Sequence, residues 1–189
     1  MSVSHDENLR TRLRVGTREE HEALDARLSE LDLRSPDGLS RFLQLQAAAL
    51  PCIRISEGVA RSADLADDLL ACLRLDLAVL GVDELPGGPV VEVHALAMDY
   101  VVLGSRLGTA VLRRHWADAA DPLVQRASRY FDTPARPDLW RAFCVETGEM
   151  AGEGDFADRM VRDVRALFTL YDDCAGMALK AGRPIDEFT

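Results

Sequence analysis

Thr17-Arg18-Glu19-Glu20-His21-Glu22-Ala23-Leu24-Asp25 is the stretch on which the reading of this chain turns. Around it, Leu9, Leu13, Thr17, His21, Leu24, Leu28 and Leu31 recur every third or fourth residue. That period places them on one face of a helix. The other faces carry Arg10, Arg12, Arg18, Glu19, Glu22 and Asp25, a solvated surface. His21 therefore falls in the inward stripe, where leucine is the ordinary choice. It is either a hydrogen-bonded core histidine or an imidazole facing a ligand, and the spacing alone favours the first. One helix is expected over 7–31. Gly16 and the capping-box spacing of Thr17 and Glu20 mark a restart or a kink close to His21.

Helical signals continue outward from this stretch. Ser35-Pro36-Asp37-Gly38 reads as a turn, followed by a helix over 39–60 that Pro51 should kink. Ser62 is the expected N-cap of a helix over 63–80. A loop over 81–89 ends in Pro86-Gly87-Gly88-Pro89. A long helical stretch over 90–117 is interrupted by Gly104 and Gly108, and two shorter helices fit 121–131 and 137–149. After a glycine-bearing loop over 150–154, a last helix is expected over 155–180, with Met160, Val164, Leu167, Phe168 and Tyr171 inward. No segment alternates long enough to read as a strand. The expectation is a single all-α domain over 1–189, with 1–6 as a flexible tail.

The 189 residues are long enough for one sizeable core, and 48% of them are apolar. A net charge of −10 and a pI of about 4.8 argue against nucleic acid or an anionic membrane as partner. No apolar run is expected to reach the length of a membrane span. The basic residues are almost all arginine, with Lys180 the only lysine, and arginine suits planar contacts with carboxylates. Cys52, Cys72, Cys144 and Cys174 are widely spaced, as in reduced and mostly buried thiols. With only a short polar run before the first helix, a cytoplasmic location is expected.

Several chemistries find no motif here. None of His5, His21, His94 or His115 follows a glutamate by three residues, as di-iron bundles require. There is no HExxH, zinc spacing, GxSxG or Walker loop. Gly152-Glu153-Gly154-Asp155-Phe156-Ala157 follows no expected strand and reads as loop and helix cap.

Two constellations remain. Arg14 and His21 are seven residues apart, about 10 Å along a straight helix, so a metal held by the imidazole could belong to a large ligand whose carboxylate meets the arginine. Gly104-Ser105-Arg106-Leu107-Gly108-Thr109 places two glycines on one helix face. Interior helix glycines cost about 1 kcal/mol each relative to alanine, which close packing against another helix or a ligand can offset.

Together these stretches resemble the heme oxygenases, most closely the bacterial branch found with bacteriophytochromes. Leu13-Arg14-Val15-Gly16 running into Thr17–Asp25 is similar to the segment supplying that family's proximal heme ligand. Phe42-Leu43-Gln44-Leu45-Gln46-Ala47-Ala48-Ala49-Leu50-Pro51 resembles the second-helix pattern. Tyr100-Val101-Val102-Leu103-Gly104-Ser105-Arg106-Leu107-Gly108 resembles the distal helix, and Trp140-Arg141-Ala142-Phe143 a later segment with a propionate-facing basic residue. The resemblance implies a heme oxygenase-like helical bundle with heme b sandwiched between the first helix and a kinked, glycine-containing distal helix. Heme would be cofactor and substrate, with His21 its iron ligand and Arg14 and Arg141 its propionate contacts. Gly104, Ser105 and Gly108, with ordered water, would hydrogen-bond oxygen on the distal side. The implied products are biliverdin, carbon monoxide and ferrous iron, from O2 and electrons supplied by a ferredoxin or a flavin reductase. A bacteriophytochrome is the implied acceptor of biliverdin. Thr109 stands where the family often has another glycine, Ser105 where animal-type members carry aspartate, and Pro137 one turn before Arg141, where a second basic partner is missing. A heme- or biliverdin-binding protein of the same fold with little turnover is the alternative reading, and an all-α interaction protein whose glycines serve packing is a third.

Overall fold

A computed structural model describes residues 8–181. The chain is mostly helical. It begins with α1 (Leu9–Gly16), α2 (Arg18–Ser29) and α3 (Pro36–Ala49). A 3-10 turn at Leu50–Cys52 leads to β1 (Ile53–Glu57), then α4 (Ala63–Leu80) and β2 (Val91–His94). The chain continues through α5 (Ala95–Ala117), α6 (Pro122–Arg126), α7 (Arg129–Asp132), α8 (Pro137–Glu149) and α9 (Asp155–Ala181). The tail expected over 1–6 lies outside the described residues.

The buried side chains form one continuous core, with Leu9, Leu13, Leu39, Leu73, Phe143, Val164 and Leu167 fully enclosed. The long α9 runs through it and packs against α1, α2, α3 and α5. This follows from its sequence: Ala157, Met160, Val161, Val164, Leu167, Phe168, Tyr171, Cys174 and Ala175 recur at helical spacing and are all buried.

Several expectations need correction. The first helix is two helices. The chain breaks at Thr17 (φ −123°, ψ 13°), where the capping box does not form. The Thr17 hydroxyl donates back to Leu13 O at 2.8 Å, and Glu20 pairs with Arg165 at 2.9 Å. The helix expected over 39–60 stops at Ala49, because Pro51 enters a 3-10 turn and β-branched Ile53 and Ile55 continue as strand. The stretch 90–117 likewise opens as a strand. β1 and β2 pair in parallel, Ile53 opposite Val91 and Ile55 opposite Val93. Finally, α5 does reach the length and apolarity of a membrane span, with a mean hydropathy of 1.3 over its most apolar 18 residues, but 56% of that window is buried inside the protein.

Buried polar groups fix α5 from behind. Asp99 has no exposed surface; its carboxylate accepts from Ser62 N at 2.9 Å, Ser62 Oγ at 2.8 Å and Arg61 N at 3.2 Å. Ser62, the expected N-cap of α4, makes no cap bond of its own, and Asp99 holds it instead. Arg106, 2% exposed, donates to Tyr130 O at 3.2 Å and Thr133 O at 2.6 Å and lies 4.9 Å from the Tyr130 ring centre. The interruption expected at Gly104 and Gly108 does not occur: α5 is one helix through both, and Trp140 packs over Gly104 in place of a side chain there.

All four cysteines are free. Cys52 and Cys174 are buried beside the Gly87–Gly88 loop, and burial, reinforced by the neighbouring Cys52, pushes the Cys174 thiol up to about 11. The folded thiol thus holds its proton more tightly than the unfolded one. Its contribution to stability is complete below the ordinary thiol value of 9.0 and is lost as the pH climbs through about 11. Maleimide labelling of the folded protein near neutral pH should therefore modify half-buried Cys72 and Cys144 first, and Cys52 and Cys174 only after denaturant is added. Equal rates at all four sites would refute this burial order.

Candidate functional site: a cleft between α2 and α5

The α9 helix packs against both α2 and α5, but α2 and α5 are not a principal packing pair. They meet at their ends. At one end the Thr17 hydroxyl and the Arg14 charge both act on the Tyr100 phenol, whose pKa burial nonetheless raises. At the other end Ser29, Leu31, Asp32 and Arg34 line a cavity of about 340 Å³ together with His115 and Asp118. Arg18 to Ser29 of α2 rises about 17 Å, and Tyr100 to His115 of α5 about 22 Å, and the meeting ends come in the same order along both. The two helices therefore run side by side in the same direction, with α9 as the floor between them. His21 follows Thr17 by four residues, and Gly104 follows Tyr100 by four.

His21 points about 100–120° round α2 from Glu20 and Arg27. Those two residues pair with Arg165 and Asp172, and Arg27, Gly88, Asp172 and Lys180 help line an open groove of about 430 Å³. The stripe expected from the sequence is inward at Leu9, Leu13, Thr17 and Leu24, but not at His21, whose side chain is 56% exposed. The imidazole sits at the edge of the stripe, ~40° of helix turn past Thr17 on the ~100°-per-residue wheel. Its ring meets Phe168 edge-on, with centroids 5.6 Å apart and planes at 89°. Its Nδ1 lies 3.1 Å from Asp25 Oδ2, one turn further along α2. A carboxylate beside Nδ1 favours a proton there and a lone pair on Nε2, the arrangement of a metal-ligating imidazole. Helical period alone puts Asp25 on the solvated face; its i,i+4 spacing from His21 is the signal in the sequence that marks it as a partner of the imidazole.

The facing wall of α5 is the stripe Tyr100, Gly104, Leu107, Gly108, Val111 and His115. Gly104 is covered: a Cβ there would lie 3.6 Å from Trp140 Cζ3. Gly108 is bare, with nothing within 4 Å of its Cβ position, and Leu107 and Val111 beside it are 46% and 55% exposed. Crowding of the cleft by Thr109 does not occur. Thr109 is buried on the far side of α5, and its hydroxyl donates to Ser105 O at 3.1 Å. Ser105 is exposed, with its hydroxyl donating to Val102 O at 2.9 Å.

Arg14 and Arg141 are both exposed, and neither forms an ion pair with another described residue. Arg14 acts on the Tyr100 phenol, and Arg141 follows Trp140, whose ring lies 6.2 Å from that of Tyr100. The break at Thr17 separates Arg14 from His21, so the straight-helix distance expected between them does not apply. His94 is a structural residue: its Nδ1 caps α5 by accepting from Leu96 N at 3.1 Å. Among the described residues no three His, Cys, Asp or Glu side chains gather as a metal site. His21 is thus a single-ligand candidate, which suits a metal whose remaining ligands come from a macrocycle.

Comparison with protein-family models, with curated proteins and with solved structures finds no match. What the protein does is therefore read from the cleft itself.

Proposed function

We propose that the protein binds heme in the α2–α5 cleft through His21 and cleaves its ring to biliverdin, carbon monoxide and ferrous iron, using O2 and external electrons. The observation that carries this reading is the half-exposed His21, its Nδ1 3.1 Å from the Asp25 carboxylate, on a helix that runs beside α5, where Gly108 is bare between exposed Leu107 and Val111. These residues fit the group. His21 would hold the metal, and Phe168 would steady the imidazole plane from the floor. Arg14 and Arg141 would pair with carboxylates at the ligand edge. Leu107, Gly108 and Val111 would exclude water from the opposite face while letting a flat ring approach the backbone. A bound heme supplies the redox chemistry, as cofactor and substrate at once. The chain's own work is to orient it. Because the Ser105 and Thr109 hydroxyls are committed to backbone carbonyls, polar contacts on the α5 face fall to the peptide groups and to water held by them.

That same commitment favours one second reading, a heme binder with little turnover, since α5 presents no free side-chain acid to the cleft. Electron supply by a ferredoxin or flavin reductase, delivery of biliverdin to a bacteriophytochrome, and a cytoplasmic setting belong to the first reading as its corollaries.

Hemin added to the purified protein should produce a sharp Soret band at one equivalent. A reductant with O2 should then convert that band to the broad red absorption of biliverdin. A stable oxygenated complex would instead support the binder, and no Soret band would defeat both.

A further inference from the structure

Trp140 rests on the bare α5 backbone at Gly104. Its Cζ3 and Cη2 atoms lie 3.6 and 3.7 Å from the Cβ position of Gly104. The indole is held in place: it stacks on fully buried Phe143 at 5.3 Å and 20°, and lies 6.2 Å from the Tyr100 ring. Phe143 and Tyr100 in turn approach to 6.1 Å, so the three rings form one block. About 6 Å further along α5, one turn on, Gly108 has nothing over it. The bare strip from Gly104 to Gly108 is thus closed at one end by an aromatic block and open at the other.

We propose that Trp140 is a specificity-determining residue: it is the end stop of the cleft, and its edge sets how far toward Tyr100 a flat ligand slides and how it is turned in its plane. The inference rests on the heme reading above and extends it to the choice of ring carbon attacked. Arg14 and Arg141 offer charge on long flexible side chains, whereas the indole offers a fixed edge. A planar ligand seated over Gly108 meets that edge before it reaches Gly104. Shortening the side chain uncovers Gly104 and leaves room for a second seating.

The test compares hemin complexes of the wild-type chain, Trp140→Ala and Trp140→Phe. Proton NMR of the cyanide-bound ferric complexes reads seating directly through the shifted heme methyl resonances, without turnover. Trp140→Ala should keep the Soret band but raise a second set of methyl resonances about 10-fold or more, the discrimination that even one methylene of pocket wall supplies. Trp140→Phe should give a smaller shift in the same direction, and the biliverdin isomer ratio should follow the methyl ratio in both. If the alanine variant does not fold, the phenylalanine variant decides alone. Wild-type methyl patterns in the variants that bind hemin would overturn the inference while leaving the heme reading intact. A wild-type chain without a Soret band would overturn both.

Discussion

His21→Ala should abolish the Soret band of the hemin complex while leaving the fold unchanged. The imidazole is more than half exposed, pairs with Asp25 and meets the edge of Phe168. Its loss from such a position should cost less than about 0.5 kcal/mol of stability. A buried structural histidine would behave in the opposite way, with a large loss of stability and no effect on hemin. Asp25→Ala separates the roles further. Without the carboxylate the imidazole loses its favoured tautomer, and loss of such an outer partner lowers metal affinity by about 10- to 100-fold. The expected order of hemin affinity is wild type, Asp25→Ala, His21→Ala, at nearly constant melting temperature. An unchanged Soret band in His21→Ala would show that a different side chain holds the iron.

Asp99→Ala should destabilise the fold far more than any substitution in the cleft. The carboxylate has no exposed surface, and it satisfies the backbone of Arg61 and both polar groups of fully buried Ser62. Truncation leaves a buried hydroxyl and N–H without partners and frees the Arg61 guanidinium from one anchor. The loss of one partner from a buried charged network costs about 3–5 kcal/mol. Glu146 also pairs with Arg61, so part of the guanidinium's binding persists and the lower end of that range is expected. Urea unfolding should show an earlier midpoint at an unchanged slope. A loss below about 1 kcal/mol would mean that water replaces the carboxylate and that the network is not needed to seat α4 on α5.

Much of this architecture is legible in the sequence because long amphipathic helices carry their own period. The helices around Leu69 and Val164 fall where the spacing of apolar residues puts them, and the Gly81–Pro89 loop where its prolines and glycines do. The two strands are not legible. A strand as short as Ile53–Glu57 buries only its first residue, so there is no alternation to read. Pro51 carries the true signal of a helix end, but the helix-like run before it makes a kink the simpler expectation. At the site, the period correctly groups His21 with Thr17 and Leu24, but it cannot tell the centre of a stripe from its edge. A fraction of a helix turn separates a core histidine from one at the lip of a cleft. Likewise, the glycine spacing marks both Gly104 and Gly108 as places of close approach, but only the fold shows that Trp140, from a later helix, covers the first and leaves the second bare.

The unequal fastening of the two cleft walls decides which of them yields when something enters. On its far side, α5 is pinned by Asp99 to the start of α4 and by Arg106 to the carbonyls of Tyr130 and Thr133. On its outer flank, α2 is held to α9 by the surface pairs Glu20–Arg165 and Arg27–Asp172, and its upstream end is the break at Thr17. Exposed ion pairs of this kind contribute about 0–1 kcal/mol each. The cleft is built like a vice with one fixed jaw and one sprung jaw. The imidazole rides on the sprung one, so in the heme reading His21 would be the group that closes onto a ligand held against α5.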